Sequence, residues 1–166
     1  HQPRKDLPMD LIASFTVNHL LLEPGVYVSR QDADPSTGAV ITTFDLRLTA
    51  PNREPVMDTA AVHALEHLGA TFLRNDPEWS NRVVYFGPMG CRTGFCLLMR
   101  SQNHERALEK VKEALRKTID APEMFGASRK ECGNYKELSI EAAHKEAARY
   151  LKELESREQD FKYPTE

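Results

Sequence analysis

Cysteine is scarce in this sequence: only Cys91, Cys96 and Cys132 occur in 166 residues. So sparse and odd a set makes a poor disulfide framework and fits a reducing cytosol, so a cytoplasmic protein is expected. Long apolar runs are missing too, and no stretch approaches the roughly 20 residues needed to span a bilayer. The opening decapeptide, HQPRKDLPMD, lacks the apolar core of a secretory signal. It starts with histidine, and a trimmed start is the expectation. Positive charge is not in excess either. A net charge of −3 gives no electrostatic reason to expect nucleic acid or an anionic membrane as partner. Internal repeats and low-complexity tracts are absent, which leaves one domain, or one subunit whose core a partner completes.

What is present reads as alternating strands and helices. "SFTVNHLLL" (14–22) reads as a strand with Phe15, Val17 and His19 on one face. "EPGVYVSRQDADPSTG" reads as a turn-rich connection. "AVITTFDLRLTA" (39–50) alternates clearly: Val40, Phe44, Leu46 and Leu48 point one way, Thr43, Asp45 and Arg47 the other. After Asp58, a plausible N-cap, a helix over residues 59–75 would bury Val62, Leu65, Leu68, Phe72 and Leu73. "RVVYF" (82–86) and "GFCLLMR" (94–100) are short strands joined through "GPMGCRTG". Asn103 and Ser139 are placed to cap two further helices with apolar stripes at Ala107, Val111 and Leu115, and at Ile140, Ala147, Leu151 and Leu154. This order favours an α+β fold with helices packed on one face of a largely antiparallel β-sheet.

The stretch "HALEHLGATFLRND" (63–76) carries the chemistry. At about 100° per residue, Glu66 and His67 fall near −60° and +40° of His63, within one narrow arc. Two imidazoles four residues apart can share one divalent metal, with the carboxylate beside it as acid or base. The order H-x-x-E-H is the inverse of H-E-x-x-H and is used for hydrolytic zinc. A plain pair of surface histidines is the bland alternative, but the regular apolar face of the helix favours metal. A catalytic metal needs a third ligand, for which His19, Cys132, Glu137 and Glu141 are candidates. With Cys132, two nitrogens and one sulfur would leave an open position and favour zinc or ferrous iron over magnesium or calcium. The commoner fate of a free cysteine is burial as a small hydrophobe.

A second cysteine, Cys91, sits between Gly90 and Gly94 in a loop, where its thiol is expected to be accessible, unlike that of Cys96. Next to a metal, Arg92 or Arg47 it would be partly ionised near neutrality and able to shuttle protons. A turn cysteine without a role is the plain alternative. For Asp45 and Arg47 the plain alternative is a salt-bridged pair on a solvated strand face.

Taken together, "SFTVNH", "FDLRL", "PNREPVM", "HALEHLGATFLRN", "PMGCRTGF" and "ECGNY", in that order, resemble the S-ribosylhomocysteine lyase (LuxS) family, whose members make the precursor of autoinducer-2. The resemblance runs from residue 14 to 135. It implies metal ligands His63, His67 and Cys132, one divalent metal per subunit with ferrous iron native and zinc a substitute, and Glu66 and Cys91 as acid/base groups. It implies Ser14, His19 and Arg47 as substrate-binding residues, and a homodimer with its active sites at the interface. The implied reaction is metal-assisted carbonyl migration by enediolate steps, then β-elimination of the thioether to homocysteine and 4,5-dihydroxy-2,3-pentanedione. Residues 14–166 are then one catalytic domain, behind a leader (1–13) expected to be extended or disordered. The family often reads D-I-S where this chain has Tyr85, Phe86 and Gly87, threonine at Ala64, and tyrosine at Cys96. Two other functions use the same helix: an inverse-motif zinc metallopeptidase, and a non-catalytic metal-binding dimerisation module.

Overall fold

The computed structural model describes residues 9–165. Four strands, β1 (Gly25–Ala33), β2 (Val40–Arg47), β3 (Val83–Pro88) and β4 (Gly94–Met99), form one antiparallel sheet in the order β1-β2-β4-β3. The helices are α1 (Ala13–Thr16), α2 (Thr59–Arg74), α3 (His104–Asp120) and α4 (Ile140–Glu155). The architecture is thus the expected α+β class. The leader expected over 1–13 falls largely outside the described residues.

The two-residue repeat of the strands gives the sheet two chemically different faces. Cross-strand partners Val26↔Leu46, Val28↔Phe44, Phe44↔Leu97 and Leu46↔Phe95 put one apolar set on a single face. Against it pack Val62, Leu65 and Leu68 of α2, Ala107 and Val111 of α3, and Ala147 and Tyr150 of α4. Leu68 and Leu97 are fully buried, so each contributes on the order of 2 kcal/mol of transfer free energy. Contact between α2 and β3 is close at Gly69, where an added Cβ would lie 2.7 Å from the Phe86 ring. The opposite face carries Tyr27, Asp45 and Cys96 as neighbours (Tyr27↔Asp45, Asp45↔Cys96).

Two expected elements are corrected. Residues 14–22 do not form a strand: a single turn, α1, is followed by turns. The Thr16 hydroxyl donates to the Ala13 carbonyl (2.7 Å), and the Asn18 side chain accepts from the Leu20 amide (3.1 Å). These short polar side chains satisfy the backbone locally and compete with a ladder. Conversely, the supposed connection after Leu22 contains β1. Its turn signals bracket a strand: Pro24 precedes it, Gly25 opens it, and Asp34 with Gly38 (φ 73°) turns the chain into β2. Caps on α3 and α4 are as expected, with Asn103 accepting from the Arg106 amide and Ser139 from the Ala142 amide. Asp58 occupies the N-cap of α2 but makes no side-chain cap bond. Phe72 is half-buried and meets Phe125 edge-on at 5.6 Å.

Candidate functional site

The buried residues of α2 include Val62, Leu65, Leu68 and Gly69. At about 100° per residue, His63, Glu66 and His67 lie on the arc opposite to them, facing away from the sheet. The irregular segment between α3 and α4 crosses this outer arc and brings the third donor. Ligand atoms of His63, His67 and Cys132 lie within 4.8 Å of one another, and no other described His, Cys, Asp or Glu completes that group. His63 Nε2 is 3.4 Å from Cys132 Sγ. His63 Nδ1 is 2.7 Å from the Glu137 carbonyl, and His67 Nδ1 is 2.8 Å from the Phe125 carbonyl. A carbonyl oxygen only accepts, so each Nδ1 carries the hydrogen and each Nε2 keeps a lone pair for a ligand. Gly126, at φ 65°, lets the backbone fold under His67: a Cβ there would lie 3.3 Å from Nδ1. The Asn134 amide donates to Cys132 Sγ (3.4 Å). Two oriented nitrogens and one sulfur suit a divalent metal with a position left open. Of the other third-ligand candidates, Glu137 offers its carbonyl to His63 while its carboxylate accepts from Asn134 (3.1 Å). Glu141 is exposed in the first turn of α4, and His19 lies elsewhere.

On the other face of the sheet is a cleft of about 410 Å³, lined among others by Ser14, His19, Arg47, Cys91, Cys96 and Tyr163. It gathers α1 and the turns after it, β2, the β3–β4 loop and the C-terminal segment. The Asp45–Arg47 pair is buried at 2% and 5% exposure, not solvated. Arg47 Nε and Nη2 donate to the two Asp45 oxygens at 3.0 and 2.6 Å, a fork matched to the carboxylate. Burial works against the Arg47 charge, but the Asp45 hydrogen bonds and charge outweigh it and raise its pKa. The remaining Nη1 donates to Thr93 Oγ1 (2.9 Å), which lies 3.0 Å from Cys91 Sγ. Since the Thr93 oxygen accepts from Arg47, its own hydrogen is free for the sulfur. Cys91 is exposed, as expected, and Cys96 half-buried. Burial, then the Asp45 charge, raises the Cys96 pKa, so this thiol stays protonated at neutrality.

The structure therefore brings His63, His67 and Cys132 together on one side, and Ser14, His19, Arg47 and Cys91 together on another. Sequence reasoning passed over Thr93 and Tyr163. The hairpin turn after Cys91 signals the first; nothing in the local sequence signals the second.

A sequence model described as S-Ribosylhomocysteinase (LuxS) matches residues 12–161. The chain belongs to this family. Among its relatives, a Borreliella burgdorferi (strain ZS7) protein is 45% identical over 159 residues, covering 94% of this chain and all of that protein. A Finegoldia magna relative is 49% identical over 159 residues, or 94% and 99% of the two chains. One from Clostridium acetobutylicum is 51% identical over 138 residues, or 82% and 86%. All three carry the name S-ribosylhomocysteine lyase. Where this chain departs from the usual LuxS segments, the structure supplies reasons for two positions. Gly87 leaves room for Tyr85, whose hydroxyl would lie 2.0 Å from a Cβ at 87. Ala64 is fully buried, so its methyl packs where a threonine would add a hydroxyl.

Proposed function

We propose that this LuxS family member is an S-ribosylhomocysteine lyase, a carbon–sulfur lyase releasing homocysteine and 4,5-dihydroxy-2,3-pentanedione. The observation that carries the reading is an unsaturated two-nitrogen, one-sulfur donor set in a chain that also presents a cysteine thiol beside an arginine-supported hydroxyl.

A thioether on plain carbon leaves poorly. The sugar carbonyl must first move from the first carbon to the third, through two enediolate steps, and only then is the proton next to the sulfur-bearing carbon acidified. His63, His67 and Cys132 are the ligands in this reading, holding ferrous iron or its substitute zinc. When bound, the metal supplies Lewis acidity that offsets negative charge developing on adjacent sugar oxygens. Cys91, as thiolate, removes a proton from one sugar carbon and returns it to the next. Glu66, beside the two histidines, serves the side of the sugar nearest α2: as carboxylate it takes the proton next to the sulfur-bearing carbon, and as acid it passes that proton to the departing sulfur. No redox cofactor is required. Ser14, His19 and Arg47 bind the substrate in the cleft, Arg47 also supporting the Cys91 charge. Residues 14–166 act as one catalytic domain, working in the cytoplasm.

This chemistry needs both groups of residues at one sugar, yet in one chain they face away from each other. The donor trio lies at the outer arc of α2, on the helix side of the sheet, and the Cys91 cleft lies on the sheet's other face. A homodimer with two interfacial sites resolves the separation, one chain supplying the trio and its partner the cleft. Exposed Phe15 (67%) lines the cleft and exposed Leu20 (65%) follows His19 in the chain, and both offer apolar surface for a second copy.

Incubation with S-ribosylhomocysteine and titration of free thiol tests the function. Stoichiometric homocysteine is expected. No thiol release from metal-replete protein overturns the lyase reading, and cleavage of peptides instead would identify the inverse-motif peptidase.

A further inference from the structure

The chain end is folded into the cleft. Residues after α4 run back along β1: the Val28 amide donates to the Phe161 carbonyl (2.8 Å), and the Gln159 side chain accepts from the Val26 amide (3.0 Å). Phe161 is held at φ 63°, a conformation costly for an aromatic residue, and the residue is buried. This anchor delivers Tyr163, two residues past the end of the LuxS match, onto the polar sheet face. Its ring stacks on Tyr27 at 5.2 Å, and its hydroxyl donates to Asp45 Oδ2 at 2.7 Å. An unbroken line of contacts follows, from Tyr163 to Asp45, Arg47, Thr93 and Cys91.

We propose that Tyr163 is a positioning residue for the Cys91 thiolate, acting through Asp45, Arg47 and Thr93. This rests on the reading of Cys91 as a proton-transfer group. Asp45 Oδ2 is shared between Arg47 Nη2 and the Tyr163 hydroxyl. Charge donated to the phenol is charge not available to neutralise the guanidinium, so more of the Arg47 field reaches the sulfur. The same bond fixes the carboxylate plane and with it the fork that aims Nη1 at Thr93. Without the hydroxyl, Asp45 pairs more fully with Arg47 and the Cys91 thiol becomes harder to ionise.

The groups facing this cleft are His19, Asp45, Arg47, Cys96 and Tyr163, with Arg92 next to Cys91 in the chain. Burial, then the Asp45 charge and hydrogen bond, holds the Tyr163 phenol far above neutrality, so it remains a donor throughout the working range. The others are unchanged in Tyr163→Phe, which keeps the ring on Tyr27. The difference between variant and parent therefore isolates the hydroxyl.

The test is the pH dependence of Cys91 alkylation by iodoacetamide in the metal-loaded protein, read on the Cys91 peptide by mass spectrometry. In Tyr163→Phe the midpoint is expected to rise by about half a pH unit, slowing alkylation at neutrality roughly threefold. The acid limb of homocysteine release should rise by the same amount at unchanged KM. A midpoint that stays or falls overturns the proposal, even where activity drops. A raised midpoint combined with full turnover by Cys91→Ala would leave this relay standing and remove Cys91 from the reaction.

Discussion

The donor trio outside α2 and the thiol cleft across the sheet are assembled in opposite ways. Two of the three candidate ligands come from successive turns of one helix, and their second ring nitrogens are held by backbone carbonyls of one neighbouring segment. The cleft draws residues from α1 and the turns after it, three strands, the β3–β4 loop and the chain end, and side-chain bonds tie its polar groups together. A site built on one helix keeps its geometry as long as the helix persists. One built from scattered side chains depends on each contact in its line. The first therefore suits permanent binding of an ion, and the second suits tuning of a reactive group.

Removing the sulfur on each side should separate the halves most sharply. Cys91→Ala is expected to cut turnover on the order of 10³-fold while metal content stays at one per chain. Cys132→Ala should lose both, since two histidines alone hold a catalytic metal poorly. One equivalent of metal on Cys132→Ala, by elemental analysis, would transfer ligand status to Glu137 or Glu141. Glu66→Gln should behave like Cys91→Ala, inactive with metal retained.

Mixing those two cysteine variants asks whether the halves meet across an interface. After subunit exchange, one intact site forms in each mixed dimer, so about one quarter of parental activity should return. No recovery from two variants that each form dimers would place both halves of the site in one chain.

A backbone change probes the helix-built side. Gly126→Ala forces a Cβ at positive φ and against His67, with an expected loss of about 1 kcal/mol in stability and roughly tenfold in metal affinity. Competition with a chelator measures the latter. Thr93→Val, the mildest, leaves Arg47 Nη1 without its acceptor at nearly constant shape. It should cost on the order of 1 kcal/mol in urea unfolding and slow Cys91 alkylation, with metal affinity untouched.

Legibility follows the same divide. His63, Glu66 and His67 were readable because helical periodicity is a local rule, and the apolar positions 62, 65, 68 and 73 announced which arc was free. The strand at 40–47 was readable by alternation, but the environment of its polar face was not. Asp45 and Arg47 look solvated from their own strand and are buried by Tyr27, Cys96 and the chain end. Single-sequence alternation cannot tell whether a strand has a partner: β1 pairs with β2, whereas residues 14–22 form turns in which the Thr16 and Asn18 side chains bond nearby backbone.

Local pattern by itself determined the α+β class, the three long helices and the pair of nitrogens on α2, because each is set by residues within one or two turns. Tertiary structure brought Cys132, by local pattern only one of several candidates, to the trio, joined Thr93 to Arg47 and Cys91, and carried Tyr163 to Asp45. Those contacts span 69, 46 and 118 residues of sequence. No local preference encodes them; they exist only once packing of the core has met the entropy cost of closing such long loops.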